Sequence, residues 1–319
     1  MKNMFFKMSG NMDKFSEYLK KIRSEQFFFI KNYTLAVLRF SNRTEIVDIA
    51  TGEVLKVLKV KYISEAVYCG RYDKLYLKSI GNGCVYVYDF AADSLKKLFK
   101  LAESDNGIFL SYDEEKLIAY TFGYVYEIET KTDERRLLYE AEIKCLYGKG
   151  WDNPNKKCYE FIYVSGKIPC TLLSLSYEGK IISEEVVRAD EIPFFINDIV
   201  YSVEYDLYIM HGFKHYIMAN IDPEGKKGEF CIISKSDINN FVYISEEKYG
   251  GGCHDILIYK NYVVYCYGDM LVKTVDMNTL KLMEVNKLNR TITKMQYDPS
   301  RNTLYVSTGN SCKNLSDFF

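Results

Sequence analysis

The sequence is poor in proline, histidine and tryptophan, and it lacks the patterns that assign a metal or redox function directly. It has 5 prolines, 3 histidines and 1 tryptophan among 319 residues. Three histidines, His211, His215 and His254, leave little material for a zinc centre. The cysteines form no C-x-x-C pair, so no zinc-ribbon or thioredoxin-like motif is present. We therefore predict no bound metal and no cofactor.

An excess of positive charge and long apolar runs are also absent. Lys plus Arg is 42 and Asp plus Glu is 43, whereas a nucleic-acid-binding protein usually carries a basic excess. No run approaches the 18 or so apolar residues of a membrane-spanning helix, and the N-terminus has no export-signal pattern. The 9 scattered cysteines are an odd number, which favours buried, reduced thiols over a disulfide framework. We expect a cytoplasmic protein that binds neither nucleic acid nor membrane.

Tyrosine and phenylalanine are abundant instead, at 29 and 19 residues, and they recur in a repeated local pattern. Four segments place a Tyr-Asp pair and a polar turn between apolar runs: RYDKLYL (71–77), SYDEEKLIAY (111–120), EYDLYIM (204–210) and QYDPSRNTLYV (296–306). Asp suits such turns because its side chain bonds nearby backbone N–H groups. With related segments, GWDNPNKKCYEF (150–161) among them, the marker residues are Asn32, Asp73, Asp113, Asp152, Asp206, Asn261 and Asp298. Their steps of 41, 40, 39, 54, 55 and 37 residues predict seven units.

Each unit contains a second hairpin after the Tyr-Asp turn. TEIVDIATGEVLKVLKV (44–60) and CVYVYDFAADSLKKLFKL (84–101) read as strand, acidic turn and strand, with the period-two alternation of half-buried strands. Four strands in about 40 residues are typical of a propeller blade. The regular strand spacing without helices between the strands argues against a βαβ fold.

Two segments carry a family resemblance. KLYLKSIGNGCVYVYDFAADSLKKLFKL (74–101) and NTLYVSTGN (302–310) resemble YVTN-type propeller repeats, whose superfamily includes the WD-repeat propellers. The resemblance implies an all-β fold, a seven-bladed β-propeller of four-stranded antiparallel blades. We predict one domain over residues 1–319, with blades at about 23–61, 62–103, 104–141, 142–189, 190–246, 247–289, and 290–319 together with 1–22.

The two chain ends are predicted to complete the last blade. Residues 3–22 align without a gap with 269–288, so the N-terminal strands are expected to join the C-terminal ones and close the ring. Two alternatives remain open. Phe15, Leu19 and Ile22 have helical spacing, so the N-terminus is an amphipathic helix in the first alternative. In the second, STGNSCKNLSDFF supplies a third strand, because it resembles KSIGNGCVYVYDF.

The segment KYGGGCHD (248–255) combines three glycines with a cysteine, a histidine and an aspartate, and it is a candidate site. A phosphate cradle requires a helix after the glycines, but an apolar strand follows here. Consecutive strand residues alternate between faces, so Cys253 and His254 do not form a simple Cys-His-Asp group. The glycines permit close backbone approach, which leaves either a structural loop or a ligand contact at the mouth of the channel.

The irregular units indicate where function lies. The steps of 54 and 55 place the surplus residues in 188–197 and 221–252, and insertions in repeat folds often mark the binding face. Which segment, 216–222 or 229–235, is the third strand of blade five is left open. We predict a binding surface at the channel mouth of blades four to six, with no catalytic residues among its members: Phe194, Phe195, His211, His215, His254 and Asp255.

The predicted function is that of a non-enzymatic scaffold that is monomeric on its own and presents this surface to a protein or peptide partner. The alternatives are a propeller enzyme of the lyase, lactonase or quinoprotein type and a small-ligand sensor that uses the channel. An enzyme would need acid, base or metal-binding side chains that converge at the channel mouth. Fold alone does not choose between these classes.

Overall fold

The computed structural model describes residues 14–22, 24, 26–101, 107–141, 146–164, 170–186, 195–213, 231–235, 241–243, 253–259, 262–267, 271–276, 278–279, 281–287, 294–298, 303–307 and 312–314. Within these residues the chain forms one helix and seven antiparallel sheets. In each sheet the strands lie in chain order, so the first and last strands form the two edges. The expected four-stranded antiparallel units are confirmed in six of the seven sheets.

The first three sheets follow one another closely along the chain. The first contains β1 (Gln26–Ile30), β2 (Leu35–Arg39), β3 (Thr44–Asp48) and β4 (Val54–Leu58). The second contains β5 (Ile63–Cys69), β6 (Lys74–Ser79), β7 (Cys84–Asp89) and β8 (Ser94–Lys100). The third contains β9 (Gly107–Leu110), β10 (Lys116–Thr121), β11 (Tyr124–Glu129) and β12 (Arg135–Glu140).

The fourth to seventh sheets complete the chain. The fourth contains β13 (Leu146–Asn153), β14 (Cys158–Val164), β15 (Cys170–Ser176) and β16 (Ile181–Val186). The fifth contains β17 (Phe195–Ser202), β18 (Leu207–Phe213), β19 (Cys231–Lys235) and β20 (Phe241–Tyr243). The sixth contains β21 (Cys253–Tyr259), β22 (Tyr262–Tyr267), β23 (Leu271–Asp276) and β24 (Lys281–Lys287), and the seventh contains β25 (Lys294–Asp298), β26 (Thr303–Ser307) and β27 (Cys312–Asn314).

The sheets belong to two compact units. Residues 1–63 and 248–319 form the first unit, and residues 64–247 form the second. The first unit therefore holds the first, sixth and seventh sheets, and the second unit holds the second to fifth sheets. The division at 247/248 falls between two sheets. The division at 63/64 separates only Ile63, the first residue of β5, from the rest of its sheet.

Neighbouring sheets within a unit pack through apolar clusters. In the second unit, Tyr76 and Val85 of the second sheet pack with Leu117 of the third. Tyr120 of the third sheet packs with Phe161 of the fourth, and their ring centroids lie 5.5 Å apart. Because successive strand residues point to opposite faces, the third sheet packs on one face against the second sheet and on the other against the fourth.

The Tyr-Asp segments at 72–73 and 205–206 lie in hairpin turns, as predicted, and their aspartates bond to tyrosine hydroxyls. Asp73 and Asp206 lie in the first hairpin turns of the second and fifth sheets with φ of 54° and 50°. Each accepts a hydrogen bond from a tyrosine five residues earlier, at 2.7 Å from Tyr68 and 2.6 Å from Tyr201. The fourth sheet differs, because Asp152 and the preceding Trp151 lie inside β13 rather than in the turn.

The last strands of five sheets each carry one extra residue that breaks the ladder. These bulges fall at Leu55, Leu98, Leu138, Ile182 and Met283. A bulge increases the local twist of an edge strand and hinders pairing with another chain. This protection matters because exposed apolar residues occur on these edges, such as Leu55 in β4 and Ile182 in β16.

The N-terminal prediction is wrong for the part of it that the structure describes. Residues 14–21 form helix α1 (Lys14–Lys21) and not the outer strand expected from the alignment; residues 1–13 lie outside the described residues. Phe15 and Leu19 are fully buried, so the helical periodicity decides the structure. The helix lies beside β27, which is the third strand expected from the C-terminal resemblance.

Helix α1 joins the first and seventh sheets in one core. The Phe15 ring lies 5.4 Å from the ring of Tyr305 in β26, and both residues pack with Phe27 of β1. Gly52 permits this arrangement, because it has φ +69° and a Cβ there would lie 2.7 Å from the Lys14 carbonyl oxygen. The glycine thus lets the turn between β3 and β4 pack directly against the first residue of the helix.

We expect Phe15→Ala to lower the free energy of unfolding by about 3–5 kcal/mol, because it leaves a cavity among fully buried aromatic rings. Urea denaturation of the full chain measures this change. The control is Glu17→Ala, which changes an exposed residue of the same helix and should stay within about 0.5 kcal/mol of the wild type. Equal midpoints for the two variants would show that the helix does not hold the core together.

Candidate functional site

The first strands of the fourth, fifth and sixth sheets share an irregularity. Each contains one residue without a partner in the neighbouring strand: Gly148 in β13, Asn197 in β17 and His254 in β21. In every case five residue pairs separate this bulge from the hairpin turn. The three bulges therefore occupy the same position in three successive sheets.

The first strands of three other sheets are regular over their described pairs. The registers of β1 with β2, β9 with β10, and β25 with β26 run without a shift. Bulges bend a strand, re-aim its side chains and are frequent beside active sites. The sheets that the sequence singles out by their long spacing are therefore among those whose first strands depart from regular pairing.

The predicted site residues of the fifth sheet lie at this irregular end. Phe195 is the first residue of β17 and is paired with Phe213, the last residue of β18. His211 in β18 is paired with Asp198, the residue directly after the bulge. The structure thus brings Phe195 and His211 into one hairpin, whereas Phe194 and His215 lie outside the described residues.

The other two predicted residues lie at the equivalent end of the sixth sheet. His254 is the bulge residue of β21, and Asp255 is paired with Cys266 of β22. The glycines of KYGGGCHD therefore precede an irregular strand start. Their own positions, 250–252, fall outside the described part of the chain. A binding role for these six residues stays a prediction.

Two further residues with reactive side chains occupy the same row of the fifth sheet. Asp198 is paired with His211, which is paired in turn with Cys231 of β19. Asp198 and Cys231 are not among the residues predicted from the sequence. The sequence leaves the third strand of blade five open between 216–222 and 229–235, and the structure identifies it as Cys231–Lys235. Assigning 231–235 as the third strand would have placed Cys231 opposite His211.

A buried carboxylate connects the fourth and fifth sheets. Glu160 of β14 is fully buried and accepts hydrogen bonds from Trp151 Nε1 at 2.9 Å and Asn153 Nδ2 at 2.9 Å. The hydroxyl of Tyr208 in β18 donates to the same carboxylate at 2.8 Å, and Lys156 Nζ lies 3.3 Å away. A buried charge is stable only with such partners, so Glu160 ties Tyr208 of the fifth sheet to the fourth sheet.

These contacts keep the Tyr208 phenol protonated and hold the Trp151 ring in place. Burial raises the pKa of the Tyr208 phenol, and the negative charge of Glu160 raises it further. Tyr208 therefore remains a hydrogen-bond donor at neutral pH. The Trp151 ring packs against Tyr201 and Tyr208, with centroids 6.4 and 6.1 Å apart. These contacts give Trp151 a packing role between the two sheets.

A second carboxylate connects the third and fourth sheets at the hairpin turns. Asp152 accepts a hydrogen bond from the backbone N–H of Tyr112 at 2.7 Å and another from the Tyr177 hydroxyl at 2.9 Å. Burial raises the pKa of the Asp152 carboxyl, and these two hydrogen bonds oppose the shift. The turn end of the sheets is thus bonded across successive sheets, while the opposite end carries the bulges.

Within the side chains described, no group of three or more His, Cys, Asp or Glu residues has the arrangement of a metal site. No helix in the described segments has the length and apolar character needed to cross a membrane. Three cysteines with described side chains, Cys69, Cys84 and Cys158, are buried and unbridged.

Comparison with solved structures defines a propeller-like all-β fold. The chain is similar to hydrazine synthase from Kuenenia stuttgartiensis, with a TM-score of 0.71 and 14% sequence identity over 91% of this chain and 94% of that one. This level of identity supports the fold alone. No family model and no curated protein sequence matches the chain. The YVTN-type resemblance therefore remains a prediction.

We expect Tyr208→Phe to destabilise the protein by about 1–3 kcal/mol, because it removes a donor from the buried Glu160 carboxylate. The matched control is Tyr112→Phe, since the Tyr112 side chain is 71% exposed and its loss of a hydroxyl should cost less than about 0.5 kcal/mol. Thermal and urea unfolding measure both. A Tyr208→Phe protein as stable as Tyr112→Phe would contradict the role given to Glu160.

Proposed function

We propose that this protein is a non-enzymatic binding scaffold, one closed seven-bladed propeller that presents the irregular ends of the fourth to sixth sheets to a protein or peptide partner. The observation that carries the proposal is the trio of bulges at equivalent positions in β13, β17 and β21. The regular first strands β1, β9 and β25 would offer a partner little that is specific.

The connections of the fifth sheet support the same surface. Phe195 and Phe213 are paired, and Ile232 near the start of β19 is paired with Tyr243 at the end of β20. Hence the segments 187–194, 214–230 and 244–252 all enter or leave the fifth sheet at the end that carries the bulge. By contrast, only 80–83 joins β6 to β7 and only 122–123 joins β10 to β11. The surplus sequence collects where the first strand is irregular, as expected of a binding face.

Contacts between the chain ends support closure of the ring. Gln296 in β25 accepts a hydrogen bond from the Phe29 N–H at 2.8 Å, and its amide donates to the Phe27 carbonyl at 2.9 Å. The last sheet is thereby joined to the first. In this proposal helix α1 takes the place of the outer strand that the alignment predicted there, and the closed ring acts as a monomer.

A reducing compartment such as the cytoplasm is part of the proposal. The buried, unbridged state of Cys69, Cys84 and Cys158 supports it, because secreted proteins more often pair their cysteines. The proposed scaffold uses no metal and no cofactor, and its partner contacts are those of Phe194, Phe195, His211, His215, His254 and Asp255.

The test is affinity capture with the full chain as bait, followed by binding measurements with each purified partner. We expect the double variants Phe194→Ser with Phe195→Ser, and His254→Ala with Asp255→Ala, to lose at least one partner at least tenfold in affinity, about 1.4 kcal/mol. Ile80→Ser is the matched control, because Ile80 is 40% exposed at the corresponding short connection of the second sheet. If both double variants fold and retain every partner that the control retains, the binding surface lies elsewhere.

A further inference from the structure

The row formed by Asp198, His211 and Cys231 brings three chemically complementary residues together. Each is the direct Cα partner of the next, across β17, β18 and β19. Residues directly opposite one another in antiparallel strands share one face of the sheet, with Cβ atoms about 4.5–5.5 Å apart. The imidazole-bearing residue thus occupies the position between the thiol and the carboxylate.

The spacing distinguishes a proton relay from a metal site. Two steps across the sheet separate the strands of Asp198 and Cys231 by about 10 Å. A zinc ion binds sulfur at about 2.3 Å and oxygen at about 2.0–2.2 Å, so one ion would have to draw both donor atoms to within roughly 4 Å of each other. The row does not suit one ion held by all three residues. It suits a nucleophile, a base and an orienting carboxylate in that order.

The bulge at Asn197 is a second observation at the same place. It lies directly before Asp198, and bulges beside functional sites re-aim neighbouring residues. The row also lies one residue pair from Gly212, the partner of Ile196, at the end of the sheet where the long connections meet.

We propose that Cys231 is a reactive thiol, with His211 as its base and Asp198 as the positioning residue for the imidazole. The ligand class is a carbon electrophile with a leaving group, such as an acyl ester or thioester. The sulfur forms a bond to the electrophilic carbon as the bond from that carbon to the leaving group breaks. The thiol proton passes to His211 and then to the leaving group, so no oxidant or reductant is needed. His211 is also a partner contact of the proposed scaffold, but the reactivity of the thiol is measured without any partner, so the two proposals can fail separately.

The buried thiols provide an internal reference for this reactivity. Burial raises the pKa of the Cys158 thiol to about 12, and the charge of Glu160 raises it further. Burial also raises the pKa of the Cys69 thiol. A thiolate is the reactive species, so Cys69 and Cys158 should be inert in the folded protein.

The experiment is limited alkylation of the native full-length protein by iodoacetamide at pH 7, with each cysteine quantified by peptide mass spectrometry. We expect Cys231 to be alkylated at least about tenfold faster than Cys158, because an ordinary thiol is only a few per cent thiolate at this pH. Cys231 labelling at the rate of the buried thiols would overturn the proposal.

Variants of the row distinguish a relay from a merely exposed cysteine. His211→Ala should slow Cys231 alkylation about tenfold, and added imidazole should restore part of the rate, because a free base can replace the missing one. Asp198→Asn should slow it less, and Asp198→Glu should retain more of the rate than Asp198→Asn. Glu115→Ala, at an exposed residue outside the row, is the control and should have no effect. Unchanged Cys231 alkylation in His211→Ala, or a loss that imidazole does not restore in a folded variant, would contradict the relay.

Discussion

The outward-facing N–H groups of the first strand of a sheet have no partner strand in their own sheet, and a buried N–H group must find an acceptor. In the first and third sheets a side chain of another sheet supplies one. Glu65 of the second sheet accepts from Ile108 N at 2.6 Å, and Gln296 of the seventh accepts from Phe29 N at 2.8 Å. Each such bond is made only when successive sheets stand at a fixed distance and register. Within each compact unit, the apolar clusters between the sheets form under that constraint.

Hydrogen bonds between sheets at the hairpin turns allow the opposite ends of the strands to vary. At the hairpin turns, Asp152 joins the third and fourth sheets and Asn155 donates to the Val203 carbonyl at 3.1 Å. The buried Glu160 then sets the place of Tyr208 in the fifth sheet. Because the turn end is bonded in this way, bulges and long connections are tolerated at the opposite end of the fourth and fifth sheets. The turn end of these strands therefore holds the sheets together, and the opposite end carries the candidate functional site.

Local patterns in the sequence were sufficient for the strand hairpins, because turn chemistry at Asp73 and Asp206 and period-two alternation are local properties. The N-terminus was misassigned, since an alignment to strands competed with the helical spacing of Phe15 and Leu19, and only packing against Tyr305 decides between them. Phe195 and His211 were selected through the irregular repeat spacing, and their binding role stays a prediction. The row with Asp198 and Cys231 could not be predicted, because it depends on pairing between segments that are distant in the chain.

Amide hydrogen exchange at Ile108 tests the coupling of successive sheets most directly. Ile108 lies in β9, an edge strand, and its N–H donates to Glu65 of the preceding sheet. We expect Glu65→Ala to lower the protection of this amide by roughly tenfold to a hundredfold, the equivalent of losing a hydrogen bond to a charged group. The exposed Glu115→Ala is the control and should leave it unchanged. Equal exchange of Ile108 in the wild type and Glu65→Ala would contradict the claim that these bonds hold neighbouring sheets together.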